Sequence, residues 1–138
     1  MSFKIQRKNR IKEDLELSNA DGKTALVIHV DLNVDEIQGR AIKAYERLGM
    51  AQNSLQDAPI SEDAMEAYGK AVGDLFAVIF GENDATKIVE FYEGNYTEML
   101  VDLWPFFSDV IMPAIREASE DRVRKLREAE RSTKRLFR

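Results

Sequence analysis

The sequence predicts an α+β fold that is mostly α, in which a short N-terminal β-hairpin or three-stranded meander packs on a bundle of about four helices. Residues 1–32 alternate apolar and polar positions, whereas apolar residues from Asn33 onward recur with a helical period. A last, long apolar segment contains two prolines. The 138 residues are predicted to form a single domain with a β-rich N-terminus (1–32), a helical body (33–121) and a basic helical or frayed tail (122–138).

The N-terminal segment has the period of two that is typical of half-buried strands. The alternating runs are Phe3, Ile5 and Arg7; Leu15 and Leu17; and Leu26, Ile28, Val30 and Leu32. Between the last two runs, Asn19–Gly22 contains residues that tolerate positive φ, so a hairpin turn is expected there.

A first helix is predicted over residues 34–56. Asn33 stands at its N-cap with Glu36 three residues later, which is the spacing of a capping box. Its apolar stripe steps four and three residues at a time through Ile37, Ala41, Ala44, Leu48, Ala51 and Leu55.

A second helix should begin after Ser61, with Ile60 and Met65 at the positions of a hydrophobic staple, and end at Gly81. Its stripe is Met65, Tyr68, Val72, Leu75 and Ile79, widened by Phe76 and Phe80. The first two helices are expected to pack as an antiparallel pair because the loop between them is short.

A short third helix is predicted to begin at Asn83 or Asp84 and to reach Glu93, before Gly94-Asn95 interrupts it. The last long helix is predicted from near Tyr96 to about Glu130. Kinks are expected at Pro105 and Pro113, because proline removes a backbone donor while the apolar spacing continues through both positions.

Few residues in this sequence are suited to catalysis. The chain has no Cys and one His, His29, so it offers neither a thiolate nucleophile nor a pair of imidazole ligands. It contains no glycine-rich phosphate loop and no Gly-x-Ser-x-Gly motif. We therefore expect no enzyme activity, no catalytic residue, no cofactor and no metal site.

The charge is unevenly distributed. Residues 13–121 hold 23 acids and seven bases, a net charge of −16, whereas residues 122–138 hold eight Lys/Arg against Glu128 and Glu130. The basic tail is a candidate anion-binding segment, or its bases fold back on the acidic body of the same molecule or of a neighbour. The candidate anion-binding residues are Arg122, Arg124, Lys125, Arg127, Arg131, Lys134 and Arg135.

The segment Met99–Met112 is strongly apolar but too short and too acidic to span a bilayer. On a helix it presents apolar side chains on more than one face, which predicts a position partly in the core and partly in an interface. The candidate client or protomer interface comprises Tyr96, Leu100, Leu103, Trp104, Phe106, Phe107 and Ile111.

Two runs, Leu75–Gly81 and Ala85–Tyr96, followed by the apolar helix with Pro105 and Pro113, resemble small phage and prophage proteins of Gram-positive bacteria. Those proteins in turn resemble the tail assembly chaperones of phages with long, non-contractile tails. The resemblance covers roughly residues 3–120 and has no short motif that assigns individual residues to a binding site.

The resemblance implies a non-enzymatic protein of the bacterial host cytoplasm. Its partners would be the tape-measure protein, which it keeps soluble, and the tail tube protein, whose assembly it promotes. Repeated weak contacts along a long client would favour a protein that self-associates, because avidity multiplies modest affinities. Two alternatives remain open: a small nucleic-acid-associated regulator that uses the basic tail, and a structural subunit of the virion. Nucleic acid is the less favoured partner, because the tail contains one aromatic residue for stacking, Phe137.

Overall fold

The structure is a computed structural model that describes residues 10–136. Its fold is α+β and mostly α, as predicted, with an N-terminal hairpin packed on helices. The predicted strand at Phe3, Ile5 and Arg7 lies outside the described residues. In chain order the elements are β1 (Arg10–Ser18), β2 (Thr24–Asn33), α1 (Val34–Asp57), α2 (Glu62–Phe80), α3 (Glu82–Phe91), α4 (Tyr96–Phe106), a π-helical turn (Phe107–Ile111) and α5 (Met112–Leu136).

The hairpin pairs β1 and β2 antiparallel, with Leu15 opposite Ile28. Its turn lies where the sequence predicts it, and Gly22, at a φ of 82°, donates a backbone hydrogen bond of 2.9 Å to Asn19. The predicted alternation is also confirmed, because Ile28 and Val30 are buried while the intervening His29 is exposed.

The predicted ends of the first three helices are partly confirmed. Ser61 caps α2, since its hydroxyl accepts a 3.2 Å hydrogen bond from the backbone N–H of Ala64. Asn33 does precede α1, but its side chain makes no capping hydrogen bond, so the predicted capping box is wrong. Gly81, at a φ of 83°, ends α2 and also precedes α3, which begins at Glu82 rather than at Asn83 or Asp84.

The predicted staple between Ile60 and Met65 is wrong. Ile60 is 95% exposed and Met65 is 56% exposed, so neither is covered at the start of α2. The buried face of α2 confirms four residues of the predicted stripe and adds two small ones, which permit close packing by other helices. It comprises Gly69, Ala71, Val72, Leu75, Phe76 and Ile79.

The helical backbone continues from α4 into α5 through both prolines. Between them the π-helical turn widens the helix, and the N–H of Met112 bonds to the carbonyl of Phe107, five residues earlier. In a regular α-helix the ring of Pro113 would clash with the carbonyl of Asp109. A wider turn before the proline relieves that clash without breaking the helix.

A buried glutamine on α1 holds α5 against the body. Gln38 is 4% exposed, and its side chain donates to the hydroxyl of Ser119 and accepts a 2.8 Å hydrogen bond from Nη2 of Arg122. Nη2 of Arg122 also lies 4.0 Å from Oδ1 of Asp35. Every residue of 122–136 is exposed, and this stretch of helix is about 22 Å long.

Candidate protein-binding surfaces

Four of the seven candidate interface residues lie in the hydrophobic core rather than on the surface. They are no more than 7% exposed, so a partner could reach them only if the core opened. Tyr96 and Phe106 are half-buried, and Trp104 is 43% exposed. The four core residues are Leu100, Leu103, Phe107 and Ile111.

Phe107 lies at the centre of an aromatic cluster that joins three helices to the π-helical turn. Its ring centroid is 5.2 Å from that of Phe76 on α2 and 6.4 Å from that of Tyr45 on α1, both in edge-to-face arrangements. The ring of Trp104 lies 6.5 Å from Phe107 and 6.3 Å from Tyr45. The packing therefore holds Trp104 in place while leaving part of its surface open.

Val101 and Trp104 lie one turn apart on α4 and form an apolar surface that we name the α4 ridge. Val101 is 65% exposed, and Trp104 is 43% exposed. Trp104 was predicted from the sequence, whereas Val101 was missed, although a spacing of three residues places two side chains on the same face of a helix.

A second apolar surface, the Tyr96 patch, consists of Ile60, Met65 and Tyr96. These side chains border an open cavity of about 560 Å³ that also reaches Gly69. Tyr96 was among the predicted interface residues. Ile60 and Met65 were missed because the predicted staple would have paired them with each other.

A third surface combines negative charge with apolar side chains at the turn end of the hairpin. It is a cavity of about 600 Å³ between β1, the end of α3 and α4, which we name the acidic groove. Its apolar lining includes Leu15, Phe91 and Phe106, and no Lys or Arg among residues 10–136 lines it. The carboxylates that line it are Glu16, Glu93, Glu98 and Asp102.

A tyrosine inside the acidic groove binds one of these carboxylates. The hydroxyl of Tyr92 donates a 3.0 Å hydrogen bond to Oδ2 of Asp102, which links the end of α3 to α4. Burial, followed by the hydrogen bond to Asp102 and its negative charge, raises the pKa of Tyr92. On the aromatic side of the groove, Phe106 stacks on Phe80 with a centroid distance of 6.1 Å.

The candidate anion-binding residues of the tail are all exposed, but they differ in their partners. Arg124 and Lys125 pair with Asp121, and the hydrogen bond from Lys125 contributes most to the lowered pKa of that carboxyl. Lys134 lies 3.2 Å from Glu130, and Arg122 is held by Gln38 as described. No ion pair within residues 10–136 involves the remaining three, Arg127, Arg131 and Arg135.

The part of the chain that the structure describes has few clusters of histidine and carboxylate side chains. His29 pairs with Asp14 at 2.7 Å on the exposed face of the hairpin. No group of three or more His, Asp or Glu side chains within residues 10–136 is arranged to hold a metal ion. No helix within that range combines the length and the apolar character that are needed to cross a membrane.

Comparisons with protein families, with curated proteins and with solved structures found no match to this chain. The features of the molecule that bear on its function are the three surfaces and the exposed end of α5. Two surfaces are apolar, one is acidic and apolar, and the helix end is basic. Exposed apolar surfaces of this kind are typical of sites of protein–protein contact.

Proposed function

We propose that this chain is a non-enzymatic tail assembly chaperone of a long-tailed phage or prophage that acts in the cytoplasm of its bacterial host. It binds the tape-measure protein, keeps that protein soluble and promotes assembly of the tail tube protein around it. The observation that carries the proposal is the α4 ridge, where Val101 and Trp104 expose large apolar side chains. The resemblance at residues 75–96 and in the proline-containing helix supplies the identity of the client.

The α4 ridge suits a helical client. An amphipathic helix binds by placing apolar residues spaced three or four apart against apolar side chains of its partner. Val101 and Trp104 offer one such contact, and Ile60 and Met65 of the Tyr96 patch offer another. Each contact is small, so a long client with repeated apolar segments would be held by many copies at once, through avidity.

The acidic body supports the same role. Residues 13–121 carry a net charge of −16, and like-charged complexes repel one another in solution. A client coated with such bodies would stay dispersed while its apolar residues are covered. The chemistry is binding and release, and it uses no catalytic residue.

Co-expression with the tape-measure protein of the same phage or prophage tests the proposal. The client is expected to become soluble and to co-purify with several copies of this chain per client molecule. A client that remains insoluble and purifies without this chain would contradict the proposal. The control is a co-expressed chain of similar size and charge that has no apolar ridge.

The exposed basic end of α5 favours a second candidate, a small nucleic-acid-associated regulator. Such a protein would bind duplex DNA or RNA with an affinity that falls steeply as salt rises, because phosphate contacts release counterions. Deleting residues 122–138 would abolish that binding. A structural virion subunit is a third candidate, and a blot of purified particles distinguishes it, because a chaperone leaves the finished assembly.

A further inference from the structure

We propose that the exposed end of α5, residues 122–136, docks into the acidic groove of a second copy of this chain. We name this segment the α5 tip. The contact is head-to-tail, because the tip of one copy meets the groove of the next. It concerns surfaces other than the α4 ridge, so it holds whether or not the client is a tape-measure protein.

The α5 tip carries the positive charge that a partner for the groove needs. It has seven Lys/Arg and two Glu, a net charge of +5. Arg124, Arg127, Arg131 and Arg135 recur at steps of three, four and four residues, which is the spacing of one helix face.

The acidic groove is complementary to this basic face. Its carboxylates include Glu16 and Glu93, and within residues 10–136 it has no lining Lys or Arg to oppose the charge of the tip. Its apolar lining, including Leu15 and Phe106, can cover the aliphatic stems of the arginines of the tip. Opposite potentials on two surfaces speed encounter and fix orientation, while apolar burial supplies affinity.

The positions of the two surfaces favour a second copy over a fold-back within one chain. Gln38 and Asp35 hold α5 at the start of α1, which follows directly from the Asn33 end of the hairpin. The acidic groove lies at the opposite end of the hairpin, at residues 15–20. The nine-residue β1 separates the two ends by about 26 to 30 Å, and no described residue of α5 lines the groove.

Head-to-tail contact has a consequence for assembly. In a pair of copies, one copy still has a free groove and the other still has a free tip. Further copies can therefore bind at both ends of the pair. The product is a closed ring if the rotation between neighbours closes, and an open filament if it does not. Either arrangement would present the α4 ridges of many copies as a repeated array.

Reciprocal charge reversal tests the contact. One variant carries Glu16→Lys and Glu93→Lys in the groove; the other carries Arg127→Glu and Arg131→Glu in the tip. Matched controls away from both surfaces are Glu46→Lys with Glu66→Lys, and Arg40→Glu with Arg47→Glu. Association of the full chain is measured by sedimentation velocity over a concentration series, at about 0.1 M and about 1 M salt.

Wild type and both controls are expected to associate at low salt, and high salt should weaken that association. Each reversed variant alone should associate at least about tenfold more weakly. Mixing the two reversed variants should restore association, because each reversed tip then meets a groove of opposite charge. Circular dichroism of each variant confirms that it folds.

Three results would overturn the contact: a wild-type chain that stays monomeric throughout the series, reversed variants that associate as well as wild type, or a mixture that does not recover. Binding of the α5 tip to duplex DNA without self-association would assign the tip to nucleic acid instead. None of these outcomes depends on the client, so failure here leaves the chaperone proposal to its own test.

Discussion

The ring of Tyr96 packs directly on the backbone of Gly69. A Cβ atom on Gly69 would lie 2.9 Å from Cε2 of that ring, closer than side-chain carbons approach one another. This contact places the first residue of α4 on α2, and the hydroxyl of Tyr68 supports it at 3.2 Å from that of Thr97. Because Gly69 has no side chain, the ring of Tyr96 has room to pack on α2 at the start of α4.

Replacing Gly69 with alanine should destabilise the fold by about 1–2 kcal/mol, because overpacking outweighs the gain in helix propensity. Gly73, one turn later on the same helix, is the matched control, because a Cβ atom there would meet no other atom within 4 Å. Gly73→Ala should stabilise by about 0.5–1 kcal/mol. Urea unfolding followed by circular dichroism measures both changes.

A Tyr96→Ala background separates the contact from propensity. In that background Gly69→Ala should become neutral or stabilising, because the ring that it meets is gone. If Gly69→Ala destabilises equally with and without the ring of Tyr96, the close contact is not the cause.

The core placement of Phe107 predicts a larger loss of stability for Phe107→Ala than for Trp104→Ala. Phe107 is 0% exposed and contacts several rings, so its truncation should cost about 3–5 kcal/mol. Trp104 is 43% exposed and should cost less. Equal losses in a denaturant titration of the two variants would contradict the assignment of Phe107 to the core.

Removing the hydroxyl group should change the stability of the fold in opposite directions at two tyrosines. The hydroxyl of Tyr45 is buried and has no hydrogen-bond partner among residues 10–136, so Tyr45→Phe should be neutral or stabilise by up to about 1 kcal/mol. Tyr92 donates to Asp102, so Tyr92→Phe should destabilise by about 1 kcal/mol. Thermal unfolding of the two variants at neutral pH measures the difference, and a reversed order would contradict the assigned partners.

Alkaline pH should destabilise the fold through the same tyrosines. Burial raises the pKa of Tyr45, and burial with the Asp102 carboxylate raises the pKa of Tyr92 above the ordinary value of 10.0. The unfolded chain therefore loses these protons first, so the stabilisation is fully present below pH 10 and falls as pH rises above it. The free energy of unfolding at about pH 9 and about pH 11 should differ less in Tyr45→Phe than in wild type.

The hairpin and the helices could be predicted because local sequence determines them. Turn residues at Asn19–Gly22 and the period of two in β2 define the hairpin, and Ser61 and Gly81 mark the ends of α2. The start of α3 was misplaced because Gly81, by its positive φ, both ends one helix and begins the next. Such a shared boundary is not visible in the composition of either helix.

The candidate surfaces could be predicted only in part. Apolar periodicity shows that Leu100, Phe107 and Trp104 belong to an apolar helix, but it does not show which face neighbouring helices cover. That depends on long-range contacts, such as the aromatic cluster around Phe107 and the contact between Gln38 and Arg122. The acidic groove was missed for the same reason, because it joins residues from β1, α3 and α4.

The most direct test of the central claim introduces one charge into the α4 ridge. Val101→Lys is compared with Val27→Lys, an exposed valine on the outer face of the hairpin, in co-expression with the tape-measure protein. The account predicts that Val101→Lys folds like wild type but leaves most of the client insoluble, while Val27→Lys solubilises it normally. Equal amounts of soluble client with both variants would contradict the assignment of the α4 ridge as the client-binding surface.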